Sequence, residues 1–289
     1  LRLAAALNAE ILSLDSMAVY RGLDIGTAKP SAAERAAMPH HLLDLRDPHE
    51  EFSVAEYRAA AIEAVQDILA RGKTPLFVGG TPLYLKALLR GLFQGPPADW
   101  DLRRQYEALA AAQGAEALHA RLQAVDPAAA AKFPPGDQRR IIRGLEVFTL
   151  TGRPLSEQQR EFDRPVPQES VRVFMLDWPR PLLYERINAR VEQMFAAGLV
   201  AETARLLALP RGLGRTARQA VGYREVLAHL ETGVPLVETI TLARQNTRQF
   251  AKRQGTWFRS LSECRFVSMS PELSADDVCS RILSASECD

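Results

Sequence analysis

The stretch ILSLDSMAVYRGLDIGTAKPS, Ile11 to Ser31, begins as an apolar run and turns polar at Asp15, with Ser16, Tyr20, Arg21, Asp24 and Lys29 following. Taken with Ala9 and Glu10, the run is short and rich in Ile and Leu, the pattern of a strand covered on both faces. Before it, LRLAAALN reads as the end of an Ala/Leu helix stopping near Asn8, a residue that accepts the left-handed cap conformation. After it, Ser53 with Glu56 three residues on forms a capping box for a helix reaching Arg71, with Tyr57, Ala61, Ile62, Val65, Ile68 and Leu69 as its apolar face. Gly72 stops that helix. KTPLFVGGTPLYLKALLRG, Lys73 to Gly91, then supplies a second buried strand, a Gly-Gly turn, and a helix opened by Thr81 with Pro82 in its first turn. Strand, helix, strand, helix is the grammar of an α/β domain with a mainly parallel sheet flanked by helices.

The composition changes at Gly95. GPPADW is a breaker-rich junction, Asp99 to Lys132 carries no strand signal, and a second breaker, FPPGD, precedes the helix QRRIIRGLEVFTL. Residues 95–165 are expected to be an all-helical insertion domain, and 1–94 with 166–289 the core. The α/β pattern resumes at VRVFMLDWPR, whose exit again carries an acid, Asp177, and continues into the helix PLLYERINARVEQMFAAGL. A final helix, Leu236 to Leu261, leads to CRFVSMS as the last strand.

A net charge of +1 excludes a uniformly basic or acidic chain, but bases gather at Arg139 to Arg143 and from Arg244 to Arg265. No window approaches the roughly 18 apolar residues of a membrane span, and no signal peptide is recognisable, so a cytoplasmic protein is expected. Cys264, Cys279 and Cys288 lack CxxC spacing and read as free thiols, so neither a disulfide framework nor a zinc site is indicated. His40, His41 and Asp44 are metal-capable, but adjacent histidines point apart, and structural hydrogen bonding is the preferred reading.

Ligands of open parallel sheets bind outside the carboxyl ends of the strands, which singles out Asp15 and Ser16, then Gly79, Gly80 and Thr81, then Asp177. The glycines let a ligand approach backbone N–H groups, and Thr81 sits at a helix N-terminus that favours an anion. Each has a plainer reading, as a turn aspartate or a tight connection. Arg244, Arg248, Lys252 and Arg259 fall on one helical stripe, with Phe250, Trp257 and Leu261 on another that is expected to be buried. A stripe with so few acids repels itself unless something anionic lies along it, and a nucleic-acid backbone would serve. Arg139, Arg140 and Arg143 form a second cluster, at a helix head where cations oppose the dipole. A solvated charged face is the alternative for both.

Six segments, DSMAVYRGLDIGTAKPS, PHHLLDLRDPHEEFSVAEYR, VGGTPLYLKALLRGL, QRRIIRGLEVFTLTGRPLS, AVGYRE and TRQFAKRQGTWFR, occur in this order and together resemble the tRNA dimethylallyltransferases, or tRNA isopentenyltransferases. The resemblance runs from Leu1 to about Val267. It implies a P-loop NTPase-like core and transfer of a dimethylallyl group from dimethylallyl diphosphate, with Mg²⁺, to the exocyclic amine of the adenosine beside the tRNA anticodon. By that resemblance Asp15 is the general base, Thr81 the leaving-group threonine and Arg190 its partner. Gly79, Gly80, Thr81 and Arg190 then bind the donor diphosphate. The tRNA anticodon stem-loop is expected at Asp15, Ser16, Met17 and Ala18, at Arg139, Arg140, Ile141, Ile142 and Arg143, at Gln219, Ala220, Val221, Gly222, Tyr223 and Arg224, and at Lys252, Arg253, Gln254, Gly255, Thr256, Trp257, Phe258 and Arg259. A monomer is expected.

The sequence departs from the family pattern in one respect: the phosphate loop ending in Gly-Lys-Ser/Thr is not in it. A chain truncated upstream of Leu1 is the expectation, with impaired transfer by the chain as written. An adenylate isopentenyltransferase, a P-loop kinase and a non-catalytic tRNA-binding chain stay open as alternatives. The basic helix favours RNA over a mononucleotide.

Overall fold

A computed structural model describes residues 1–93, 95–160, 162 and 164–287. Cys288 and Gln94, the expected end of the first core segment, lie outside the described residues. The chain forms two compact units, Leu1–Leu89 with Pro165–Asp289, and Arg90–Arg164.

In the first unit, β1 (Ala9–Leu14) is the centre of a three-stranded sheet, between β2 (His40–His41) and β3 (Thr74–Gly79). All pairings are parallel, with Ile11 opposite His40 and a β1–β3 register running from Ala9 opposite Thr74 to Leu14 opposite Gly79. A second parallel sheet joins β4 (Val173–Asp177) to β5 (Cys264–Ser268). β1 is buried as its apolar run predicts, but β3 is not: Val78 is 52% exposed. Leu12 and Leu14 pack with Tyr57, Ala61, Ile68, Tyr84, Phe258 and Leu261. At the N-terminus a short helix, Arg2–Ala6, does end at Asn8, which takes a left-handed φ of 49°.

The capping box forms as read: Ser53 Oγ accepts the Glu56 N–H while the Glu56 carboxylate accepts the Ser53 N–H, and the helix runs Val54–Ala70. Its buried stripe is narrower than expected. Tyr57, Ala61 and Ile68 are covered, whereas Ile62 and Leu69 lie one residue further round and are 38% and 56% exposed. Helices outside the sequence expectation include Ala32–Ala37, Leu199–Leu207, Tyr223–Thr232 and, last in the chain's order, Ala275–Glu287. The signal of the last is present in the sequence: Ser274 Oγ accepts the Asp277 N–H, and the Asp277 carboxylate accepts the Ser274 N–H.

The polar stretch after Asp15 is anchored in the core by its apolar residues, while Arg21, Gly22, Asp24 and Ala28 stay exposed. Val19, Tyr20 and Leu23 are fully buried against Leu199 and Leu206 of helix Leu199–Leu207 and Tyr223 and Val226 of helix Tyr223–Thr232. Lys29 is the electrostatic centre of this segment. Its side chain is 1% exposed, and its Nζ donates to the Tyr20 carbonyl (2.6 Å), Asp24 (2.8 Å) and Asp44 (2.6 Å).

The second unit is helical. Trp100–Gln113, Ala115–Val125, Pro127–Lys132 and Gln138–Thr151 surround Leu118, Leu122, Ile141, Ile142 and Leu145. Inside it, fully buried Glu146 accepts from Arg103 (2.8 Å twice), Arg143 (2.5 Å) and the Asp99 N–H (2.8 Å). No helix among the described residues is long and apolar enough to cross a membrane.

The histidines make structural bonds: His40 Nδ1 meets the Met38 carbonyl and His41 Nε2 meets Glu10, each at 2.7 Å. Among the described residues no three His, Cys, Asp or Glu side chains gather as a metal site. Buried Glu10 is also held by the Arg71 guanidinium, and this pairing, against the cost of burial, lowers its carboxyl from the ordinary 4.5 to about 2. A carboxylate so lowered contributes stability that is complete above pH 4.5 and is lost as pH falls towards 2. Glu10→Gln is therefore expected to reduce stability at pH 7 and to flatten the acid limb of a denaturation profile, measured by circular dichroism from pH 7 down to pH 2.

Candidate active site

The site begins where β1 and β3 end side by side. The Leu14 carbonyl accepts two N–H groups of the turn beyond β3, Gly80 at 3.1 Å and Thr81 at 3.0 Å. Gly79 is required by closeness: a Cβ there would lie 2.5 Å from the Leu14 carbonyl. A second link crosses the same gap, from the Ser16 N–H to Thr81 Oγ1 at 3.1 Å. That hydroxyl accepts from the backbone, so its own proton is available to a ligand, at the N-terminus of helix Pro82–Arg90.

Asp15 is oriented by its own loop. Its Oδ1 accepts the N–H groups of Met17 (2.7 Å) and Ala18 (3.2 Å), while Oδ2 makes no hydrogen bond among the described residues. Nearby lie Tyr57 and Tyr84, stacked with ring centroids 3.7 Å apart. The Tyr57 hydroxyl donates to the Ser13 carbonyl at 2.9 Å. Burial, followed by a neighbouring phenol and then the Asp15 carboxylate, pushes both hydroxyls above the ordinary tyrosine range, so they stay protonated beside the acid. From the far end of the chain, the Gln254 side-chain amide donates to the Gly80 carbonyl. Asp15, Ser16, Gly79, Gly80, Thr81 and the helix Leu236–Arg259 therefore converge on one place.

Arg190 takes no part in those bonds. It is exposed on helix Arg180–Ala196 and, with Asp24, Ala28, Arg35 and Met194, lines a cavity of about 650 Å³. Thr81 is not in that lining, and Arg190 makes no hydrogen bond or ion pair among the described residues. Asp177, at the end of β4, accepts from Arg259 at 2.8 Å.

The basic stripe differs from its sequence reading. Arg244 pairs with Glu192 (2.5 Å), Arg248 donates to Asn188 (2.6 Å), and Arg259 is held by Asp177, so side chains from other elements supply the missing partners. The aromatics are also displaced from the core. Phe250 and Trp257 are 44% and 41% exposed, and only Leu261 is buried. On the helix Leu236–Arg259 the cations left without partners among the described residues are Lys252 and Arg253, on the same exposed face as Trp257. In the second unit Arg140 is bound by Asp137 and lies over the Phe133 ring, and Arg143 is committed to Glu146 and the Pro96 carbonyl; Arg139 alone of the three is unpaired.

Several residues of the expected RNA segments are buried: Ala18, Ile141, Ile142, Ala220, Gly222, Tyr223, Gly255 and Phe258. Gln219, Val221, Arg224, Gln254 and Thr256, with Ser16 and Met17, keep partial or full exposure. Residues that the sequence reading missed are Tyr84 and Glu202. A signal for Glu202 existed, an acid on the apolar side of LVAETARLL between Leu199 and Leu206.

A family model described as IPP transferase matches residues 18–261. The chain belongs to the IPP transferase family. Among its relatives, the tRNA dimethylallyltransferase of Rhodopirellula baltica is 51% identical over 269 residues, covering 93% of this chain and 80% of that one. The tRNA dimethylallyltransferase 1 of Trichlorobacter lovleyi is 49% identical over 276 residues, covering 95% and 90%. The structure of the full-length tRNA isopentenylpyrophosphate transferase from Bacillus halodurans superposes with a TM-score of 0.70 at 39% identity, covering 98% of this chain and 89% of that one. A eukaryotic dimethylallyltransferase acting on tRNA gives 0.75 at 27% identity, covering 98% and 73%. This IPP transferase chain thus carries the family's P-loop-like fold.

Because that junction has no room for a methyl group, Gly79→Ala is expected to force the strand ends apart at a cost of about 1–3 kcal/mol. Thermal denaturation measures the loss. An unchanged melting temperature would mean the Leu14 clip is not formed.

Proposed function

We propose that this chain transfers the dimethylallyl group of dimethylallyl diphosphate to the exocyclic N6 amine of the adenosine that follows the tRNA anticodon. The observation that carries the reading is the free Oδ2 of Asp15, one residue before the Ser16 amide that is bonded to the Thr81 hydroxyl, in a member of a family whose relatives are named tRNA dimethylallyltransferases. The lone pair of that amine is delocalised into the purine, so a positioned base is needed as nitrogen attacks carbon. The two backbone N–H hydrogen bonds to Oδ1 fix the carboxylate and leave Oδ2 free to accept a proton. As the C–N bond forms, the C–O bond to diphosphate breaks, the N6 proton passes to Asp15, and the departing diphosphate takes both electrons of the broken bond. Thr81 donates to the leaving oxygen, aided by its helix N-terminus, while Gly79 and Gly80 leave the approach free of side chains and the Gly80 and Thr81 N–H groups stay with the Leu14 carbonyl. Arg190 serves the same diphosphate in this reading.

Mg²⁺ fits as a companion of the donor. It keeps waters and phosphate oxygens as most of its ligands, and the described residues offer no preassembled cluster of acids, but they do offer the Thr81 hydroxyl oxygen. When bound, the ion neutralises charge on the leaving diphosphate.

Adenine stacked in an anticodon loop hides its amine, so the base must be extruded to reach Asp15. The flanking RNA is held, in this reading, by exposed Lys252 and Arg253 with Trp257 as a stacking surface, and by Arg139 on the second unit. The reaction is placed in the cytoplasm, with a monomeric enzyme.

The test uses the product of the complete reading frame with radiolabelled donor and an unmodified anticodon stem-loop. Label should enter the RNA and not AMP; entry into AMP alone, or into neither, refutes the proposal. Asp15→Asn should lower the transfer rate by roughly 10²- to 10⁴-fold while RNA affinity stays within about threefold. Lys252→Ala and Arg253→Ala should weaken RNA binding and each reduce the slope of log affinity against log salt by about 1. Arg143→Ala should instead lower the melting temperature, because it strips a partner from buried Glu146.

A further inference from the structure

The acceptor loop is held by a buried device on its far side. Glu202, on helix Leu199–Leu207, is 4% exposed, and its carboxylate accepts the N–H of Asp24 (3.3 Å) and of Ile25 (3.0 and 3.1 Å to its two oxygens). The next amide, Gly26, donates to the Tyr223 hydroxyl at 3.1 Å, and that hydroxyl donates to Glu202 at 2.5 Å. Three consecutive amides of one loop thus converge on two side chains that are also bonded to each other. The contact is close: a Cβ on Gly26 would lie 2.3 Å from the Tyr223 ring. Tyr223 is fully buried, and without the Glu202 carboxylate the amides of Asp24 and Ile25 would lose their side-chain acceptor.

Such a set of bonds is more than helix packing requires. Leu199, Leu206 and Val226 already supply the apolar contact with Val19, Tyr20 and Leu23. The loop it holds is the one that begins at Asp15: Val19 and Tyr20 lie between, and the Ala18 and Val19 carbonyls are fixed in turn by the N–H groups of Asp44 and Arg46. Tyr223 also opens its helix, and Arg224 beside it is bonded to Glu225.

We infer that Glu202 and Tyr223 are positioning residues for the transfer step: they clasp Asp24, Ile25 and Gly26 and hold the acceptor loop in register. The inference rests on the prenyl transfer proposed above, with Asp15 as base. Neither side chain touches substrate. Their effect is on where Asp15 stands when the adenine arrives, and misplacement of a reacting group by about 1 Å costs on the order of 10²-fold in rate.

Tyr223→Phe removes only the hydroxyl, and tests this in the product of the complete reading frame. The expected result is a kcat lowered roughly 10- to 100-fold, with KM and Kd for the stem-loop within about threefold, and faster hydrogen exchange at the amides of residues 24–26. Glu202→Gln, which keeps one acceptor oxygen, should retain more kcat than Glu202→Ala and be less exchange-labile. An unchanged kcat well below the melting temperature, even with a lowered Tm, would reduce the clasp to packing and overturn the inference. So would a loss confined to Kd. Should the unaltered protein transfer nothing to RNA, the underlying reading fails instead, and the exchange measurement still reports whether the clasp holds the loop.

Discussion

One backbone oxygen organises the site. The Leu14 carbonyl ends β1 by accepting both N–H groups of the turn that ends β3, so two strands separated by a whole helix in sequence deliver their exits to one point. An acid on one exit and a hydroxyl on the other are then neighbours without any side chain having to reach. The link from the Ser16 N–H to Thr81 Oγ1 repeats that constraint one residue further out. Parallel pairing is what makes it possible, since it puts both carboxyl ends on the same edge.

Everything else in the first unit supports that junction. Stacked Tyr57 and Tyr84 fill the space near it, Gln254 fastens the long C-terminal helix to Gly80, and the loop after Asp15 is folded into a core of its own around Lys29 and Tyr20. A polar loop buried in this way must satisfy its backbone groups internally. The amides at 24–26, the Tyr20 carbonyl and the acids Asp24 and Asp44 all find partners, which keeps the loop in one conformation.

What was legible in the sequence follows from local rules. The capping box at Ser53, the left-handed stop at Asn8, the strand exits at Asp15 and Gly79 and the helix opened at Thr81 each depend on a few adjacent residues, and each forms. The motifs carried the family as well. What was not legible depends on partners far along the chain. Nothing near Arg244 or Arg259 announces that Glu192 and Asp177 will neutralise them, and nothing near Trp257 says its face is open. Arg143 reads as one of three equivalent cations, yet Glu146 makes it a strut. The Ala275–Glu287 helix is a different kind of omission, since its Ser274–Asp277 cap was there to be read.

The central claim is that Asp15 and Thr81 face the two halves of one reaction. A crystal structure of the complete protein with an anticodon stem-loop and a non-reactive analogue of dimethylallyl diphosphate tests it most directly. The account predicts the extruded adenine with N6 within about 2.6–3.2 Å of Asp15 Oδ2 and the donor's bridging oxygen next to the Thr81 hydroxyl. An adenine bound away from Asp15, with the analogue in the cavity below Arg190 and out of reach of Thr81, would contradict it.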